Sequence, residues 1–268
     1  GVKTAETMRE AMQKCRAADS IIAAHCEDMS WIPAGGAIHD GAFAKAHGIP
    51  GIPSESEWKP IERDIALCRE TGCRYHVCHV STKESVALIR QAKAEGINIT
   101  CETGPHYLLL CQDDLQDLGR FKMNPPLRNK DDQEALLAGL LDGTIDMIAT
   151  DHAPHSEEDK LKGMAGMVGS ETAFGVCYTK LCKQEGLPLE LLVHLMSTRP
   201  AEILGLAKGQ LEPGFDADFV LVDLDTPYTV EKEKLHSKSH NTPFDGAQLY
   251  GKVFATIKAG KITYQTEE

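Results

Sequence analysis

The chain has 268 residues, 42 % of them hydrophobic and 25 % charged, the balance of an ordinary globular protein of one large domain or two modest ones. Forty acidic residues against 28 basic ones give a formal net charge of −12, which excludes bulk electrostatic recruitment of nucleic acid or an anionic membrane surface. No apolar run approaches the roughly 20 residues that span a bilayer, and the opening Gly1-Val2-Lys3-Thr4 has no signal-peptide core. Small-molecule chemistry in the cytoplasm is the expectation.

In chain order, Met8, Ala11, Met12 and Cys15 recur at three- and four-residue spacing and predict a helix from Thr4 to about Ala18. The apolar run Ile21-Ile22-Ala23-Ala24 follows and ends in His25-Cys26-Glu27-Asp28. Ser54 with Glu57 reads as a capping box before a helix that carries Ile61, Ile65 and Cys68 and stops near Gly72. The strand candidate Tyr75-His76-Val77-Cys78 then ends in His79. Ser81 with Glu84 reads as another capping box, its helix running through Ala94. Ile97 to Cys101 is the next strand candidate, ending in Glu102-Thr103-Gly104-Pro105-His106. A helix from about Lys130 to Leu141 leads into Ile145 to Thr150, closed by Asp151-His152-Ala153-Pro154-His155.

Four buried strands thus end in polar, metal-capable residues, and strands alternating with helices mean parallel β/α units. In a (β/α)8 barrel the chemistry sits at the carboxyl ends of the strands. Only four units are legible where a barrel needs eight, so the fold class is α/β, a partial TIM barrel comprising its second half, over residues 1–207. Helical segments at Glu171 to Glu185, Pro188 to Met196 and Pro200 to Leu204 complete that part. From Gly209 short β-like runs at Phe219 to Val222 and Val253 to Ile257 alternate with Pro-Gly and Ala-Gly turns, predicting a second, small antiparallel β module over 208–268. The absence of an initiator methionine suggests a fragment, a cleaved product or a trimmed chain. The nine scattered cysteines include no C-x-x-C pair, and they read as reduced core thiols.

Imidazoles and carboxylates suit zinc, whose catalytic sites keep a position open for water. His25, His79 and Asp151 are therefore the candidate metal ligands, on the strength of equivalent strand-end positions. The bland alternatives are hydrogen-bonded core histidines and a turn-capping aspartate. Asp151 also fits a catalytic acid/base at a metal, and His155 is a candidate substrate contact against the alternative of a surface-loop histidine. His76, His106 and His152 read as structural. In Met123-Asn124-Pro125-Pro126-Leu127-Arg128 two prolines stiffen the backbone and hold Asn124 and Arg128 in a set direction. Gly163 to Gly169 reads as a mobile loop that lets backbone groups approach a ligand; it lacks the phosphate-binding P-loop pattern.

Ala24 to Asp28, Cys78 to Thr82, Gly104 to Tyr107, Met123 to Arg128, Ala149 to His155, Gly169 to Ala173 and Asn241 to Phe244 together resemble the bacterial dihydroorotases of the long, multifunctional-type class, within the amidohydrolase superfamily. The resemblance implies a (β/α)8 barrel with an appended β-sandwich module, one or two zinc ions, and the reversible cyclisation of N-carbamoyl-L-aspartate to L-dihydroorotate in pyrimidine synthesis. Under it His25, His79 and Asp151 match metal ligands, and Asp151 also matches the acid/base. Asn124 and His155 match substrate-binding positions, and Ala165 and Gly166 match a backbone contact to the substrate ring. The family usually has Phe-Gly there, so Ala165 departs from the pattern.

The family's His-x-His-x-Arg motif, the substrate-contacting Asn after it and a further metal-ligating Asp find no counterpart in these residues. The chain therefore reads as a carboxyl-terminal portion, expected to hold zinc weakly and to be inactive alone. Two further readings stand beside it: another cyclic amidohydrolase, a hydantoinase or allantoinase, and a non-catalytic scaffold that binds aspartate transcarbamoylase. Homo-oligomerisation is also expected, from exposed strand edges and apolar helix faces.

Overall fold

The computed structural model describes residues 1–116 and 118–266. Two compact units emerge, one comprising residues 1–151 and 157–166, the other 152–156 and 167–268.

The first unit is built on a four-stranded parallel sheet. Helix α1 (Ala5–Ala17) starts at Thr4, whose hydroxyl accepts from the Thr7 N–H at 3.2 Å, and it buries Met8 and Met12. Strand β1 (Ile21–Ala24) follows, then a short parallel pair, β2 (Ile38–His39) and β3 (Gly51–Ile52), with α2 (Ala42–His47) between them. Helix α3 (Glu55–Thr71) is tied to α1 by the Arg9–Glu70 ion pair and ends at Gly72, whose φ of 65° is the left-handed conformation that glycine adopts without a Cβ penalty. Strand β4 (Arg74–Val77), α4 (Lys83–Ala94), β5 (Ile99–Thr103), α5 (Pro105–Leu109), α6 (Leu118–Phe121), α7 (Lys130–Leu141) and β6 (Met147–Ile148) complete the run, with α8 (Glu157–Leu161) beyond.

The strand order is β1-β4-β5-β6, parallel throughout, as the alternating pattern implies. Ala23 pairs with His76, His76 with Thr100, and Glu102 with Met147. Tyr75, Val77, Ile99 and Cys101, of the opposite parity, are buried with Ile61, Ile65, Val86 and Ile89 of α3 and α4. That burial fixes the register, because a one-residue slip would exchange the two faces of every strand.

Two sequence-predicted caps differ in the structure. Ser54 makes no side-chain cap hydrogen bond, and α4 is capped by Thr82, whose hydroxyl accepts from the Ser85 N–H, rather than by Ser81. Both departures have one cause. Glu57 is buried and turned away from its own helix start to accept from Ser81 and Thr82 at the start of α4.

In the second unit, α9 (Ala173–Cys177) continues into a π-helical turn over 178–184, and α10 (Leu189–Val193) into another over 194–198 before α11 (Arg199–Leu204). Strand β7 (Phe219–Asp223) is an edge of the antiparallel sheet β11-β10-β7, with β10 (Lys252–Lys258) central and β11 (Lys261–Gln265) at the far edge. Strands β8 (Tyr228–Thr229) and β9 (Gln248–Leu249) form a separate antiparallel pair. Among the described residues no helix is long and apolar enough to cross a membrane, and all nine cysteines are free thiols.

Candidate metal centre

His25 lies one residue past β1 and His79 two past β4, and their rings meet, with His25 Nδ1 2.9 Å from His79 Nε2. Alternation alone would not produce this. The β1–β4 register continues through the Cys78 N–H bond to the Ala24 carbonyl, so His25 shares a face with Cys78, and His79 would fall on the other. His79 has φ 38°, a left-handed value unusual for a residue with a Cβ, and the turn breaks the alternation there. Asp151, beyond β6, has φ 47° and is the other strand-end candidate in that region. Such conformations cost about 1–3 kcal/mol and concentrate at functional sites.

The electrostatics join all three. Burial pushes the Asp151 carboxyl above the ordinary carboxylate range, His79 and His25 pull it down, and Glu102 raises it further. Burial lowers His79, with Asp151 opposing and His25 reinforcing the shift. A neutral imidazole is the form that ligates a metal. His79 Nδ1 is buried and has no hydrogen-bond partner. Two imidazole nitrogens facing each other and an orphaned ring nitrogen are donors of the kind zinc takes, while the Asp151 carboxylate reaches them through its field rather than by contact.

A small cleft beside His25 is lined by Glu27, Ser56, Glu57, Asn124, Pro125 and Arg128, among others. It brings the predicted ligand His25 and the predicted substrate residue Asn124 together. Glu27 joins them: its Oε2 lies 3.4 Å from His25 Nε2, and it also hydrogen-bonds the Asn124 side chain. The His25 contact foremost holds the Glu27 carboxyl below its usual range, against partial burial and with Asn124 assisting.

The Asn124 segment is fixed from several sides. The Tyr107 hydroxyl donates to the Pro125 carbonyl at 2.7 Å, and the Asn124-Pro125 bond is cis. Arg128 is buried, donating to Ser81 Oγ at 3.1 Å and to the Ile52 carbonyl at 3.0 Å, with its Nη1 3.3 Å from His39 Nδ1 and its Nη2 3.8 Å from Glu57. The solvated arginine of a simple turn is thereby excluded. Glu57 accepts from the Ser81 and Thr82 N–H groups at 3.0 Å each, from Thr82 Oγ1 at 3.0 Å, from Ser85 Oγ at 2.8 Å and from the Ser81 hydroxyl.

Gly166, at φ 129°, donates its N–H to the Lys122 carbonyl at 2.9 Å, and its own carbonyl accepts from Lys160 Nζ at 2.8 Å. The neighbouring Ala165 is half-buried. In the second unit the His155 N–H donates to Asn241 Oδ1 at 3.2 Å, and the Asn241 carbonyl accepts from Val168 N–H at 2.9 Å. His152 has a structural role: its Nδ1 accepts from the Gly169 and Ser170 N–H groups.

Sequence reasoning missed Glu27 and Glu57. Glu27 carried a signal, since it stands at i+2 from a candidate ligand in an extended segment and therefore on the same side. Glu57 carried none, because its i+3 spacing from Ser54 imitates a capping box.

The parallel sheet, with His25, His79 and Asp151 beyond its strand ends, defines an α/β protein. The chain belongs to the amidohydrolase family, whose profile matches residues 2–263. It is 49 % identical to the dihydroorotase of Brevibacillus brevis and 49 % identical to that of Bacillus subtilis, in each case over 99 % of this chain. The chain spans 64 % and 63 % of those two proteins' lengths. Among solved structures it resembles an L-hydantoinase (dihydropyrimidinase) from Arthrobacter aurescens, with a TM-score of 0.90 at 32 % identity over 100 % of this chain and 62 % of that one. It also resembles a D-hydantoinase (dihydropyrimidinase) from Thermus sp., with a TM-score of 0.87 at 25 % identity over 99 % of this chain and 61 % of that one.

Proposed function

We propose that this chain contributes to a zinc-dependent dihydroorotase, which interconverts N-carbamoyl-L-aspartate and L-dihydroorotate. The observation that carries the reading is the convergence of His25 and His79 at 2.9 Å with Asp151 in electrostatic contact with both. Relatives named dihydroorotase at 49 % identity favour this substrate over hydantoin, whose enzymes enter as structural relatives at 32 % and 25 %.

His25, His79 and Asp151 would hold the zinc, which when bound supplies Lewis acidity and a nucleophile active near neutral pH. Asp151 is suited to pass a proton between steps as a partly buried carboxylate beside the imidazoles, the role a positioned acid/base plays. It would receive the proton of the attacking water and deliver it to the ring nitrogen, or in reverse take it from the ureido nitrogen. Asn124, oriented by Glu27 and the fixed Pro125 carbonyl, would hold the substrate in line, and such positioning lowers barriers by removing orientational freedom. The Ala165-Gly166 backbone would add a further substrate contact, and His155, which belongs to the second unit, is proposed as a substrate-binding residue on the family resemblance alone. The reading extends to the second half of a (β/α)8 barrel over 1–207, in keeping with the four parallel strands β1, β4, β5 and β6, and a β-sandwich module over 208–268. It also takes in a cytoplasmic setting, supported by nine unpaired thiols, and self-association, supported by exposed Phe219, Val220 and Leu221 on the edge strand β7.

A substrate panel tests the proposal. Dihydroorotate, hydantoin and allantoin are offered to the zinc-loaded chain, alone and mixed with the amino-terminal part of a dihydroorotase relative. Turnover should favour dihydroorotate and fall about 10²- to 10⁴-fold, the contribution of a lost acid/base, in Asp151→Asn. Preference for hydantoin or allantoin, or an active Asp151→Asn protein, would overturn it.

A further inference from the structure

His76, Cys78 and Glu102 have one potential ligand atom each, all within 4.8 Å of one another. The sheet builds the group. His76 and Cys78 stand two apart along β4 and its extension, and His76 pairs with Thr100 on β5, so Thr100 and Glu102 present their side chains to the same face. His76 is buried, while Cys78 and Glu102 are half-buried and so reachable from solvent.

We propose that His76, Cys78 and Glu102 form a second divalent-cation site, separate from His25, His79 and Asp151, for a borderline or soft ion such as zinc, cobalt or cadmium. His76 is oriented as ligating histidines are: Nδ1 lies 2.8 Å from Thr100 Oγ1, leaving Nε2 aimed at Glu102 Oε2, 3.2 Å away. In the metal-free chain an Nε2–H can bridge to Glu102; in the tautomer that carries its proton on Nδ1, toward Thr100, the Nε2 lone pair and the carboxylate are left to share a cation. Thiolate, imidazole and carboxylate in one site match the ligands zinc takes, with water in the fourth position. Ligand atoms around a tetrahedral zinc stand about 3.5 Å apart, so the triangle needs to close by about 1 Å, within reach of side-chain rotation. On binding, Cys78 gives up its thiol proton to solvent as the metal–sulfur bond forms, and no electrons are transferred.

The thiol makes the site separable by spectroscopy, because His25, His79 and Asp151 offer no sulfur. Cobalt titration of the reduced chain should give a near-ultraviolet thiolate-to-cobalt charge-transfer band that disappears in Cys78→Ser. The band should weaken in Glu102→Gln and persist in the double variant His25→Asn/His79→Asn. Should Cys78→Ser fail to fold, X-ray absorption of the wild-type chain at two equivalents of zinc must show a zinc–sulfur shell averaging about half a sulfur per zinc, one sulfur shared over two sites. Retention of the band in folded Cys78→Ser, its loss in the double variant, or a sulfur-free zinc shell would overturn the proposal. None of these readouts depends on dihydroorotate turnover, so the two proposals fail independently.

Discussion

Glu27 sits between a candidate ligand and a candidate substrate residue, and its carboxylate serves both. Acceptance from His25 Nε2–H leaves Nδ1, the nitrogen that faces His79, with its lone pair free for a metal. Carboxylate partners of ligating histidines set ring orientation and basicity, and their loss costs about 10- to 100-fold in metal affinity. Glu27→Gln should therefore weaken zinc binding by that factor in a competitive chelator titration. Its chemical stability should stay within about 0.5 kcal/mol of the wild type, the range for substitutions outside the core. Unchanged zinc affinity would remove Glu27 from the site. The cause lies in the sequence, where the i+2 spacing on an extended segment puts both side chains on one side. What it does not reveal is the left-handed turn at His79, because a positive φ on a histidine has no residue-type signature comparable to glycine.

At the scale of elements, Glu57 on α3 fastens the start of α4 and, through Ser81 and Arg128, the segment that presents Asn124. Truncating it strands buried donors and an arginine, so Glu57→Ala should lose about 3–5 kcal/mol, read as a lower urea midpoint. Glu57→Gln should lose less, since it keeps the volume but turns an amide N–H₂ toward other donors. A midpoint within error of the wild type for both would contradict the network. The β/α alternation, the helix over 130–141 and the strand-end positions of His25, His79 and Asp151 were legible because periodicity and strand ends leave local patterns. The long-range partners were not. Glu57 meets Ser81 across 24 positions and Arg128 meets His39 across 89, distances at which sequence spacing holds no geometric information. The same limit explains His76, legible as a structural histidine but not as the neighbour of Glu102 on the adjacent strand.

The molecule as a whole folds around imidazoles held neutral, and this sets its response to acid. Burial, reinforced by the positive charge of Arg128, lowers His39 to about 4, with Asp40 opposing and Lys45 adding a small depression. Burial, with His79 nearby, lowers His106 to about 3, and neither of its ring nitrogens has a partner. In the unfolded chain both titrate near 6.5. Between pH 6.5 and about 4 the unfolded state thus binds more protons than the folded one, and unfolding free energy rises with pH. The stability contributed by the neutral rings is complete above pH 6.5 and is lost as the pH falls, at up to about 1.4 kcal/mol per unit for each ring. Asp132, raised by burial, has the opposite sign, because its folded state retains the proton longer. The His39 share is isolated by urea unfolding with a chelator present across pH 4–8. His39→Asn keeps an acceptor toward Arg128 without a titrating ring, and its stability should fall less steeply below pH 6.5 than that of the wild type. Parallel curves for the two proteins would mean that His39 is not held neutral in the fold, and that the Arg128 contact does not depend on an unprotonated Nδ1.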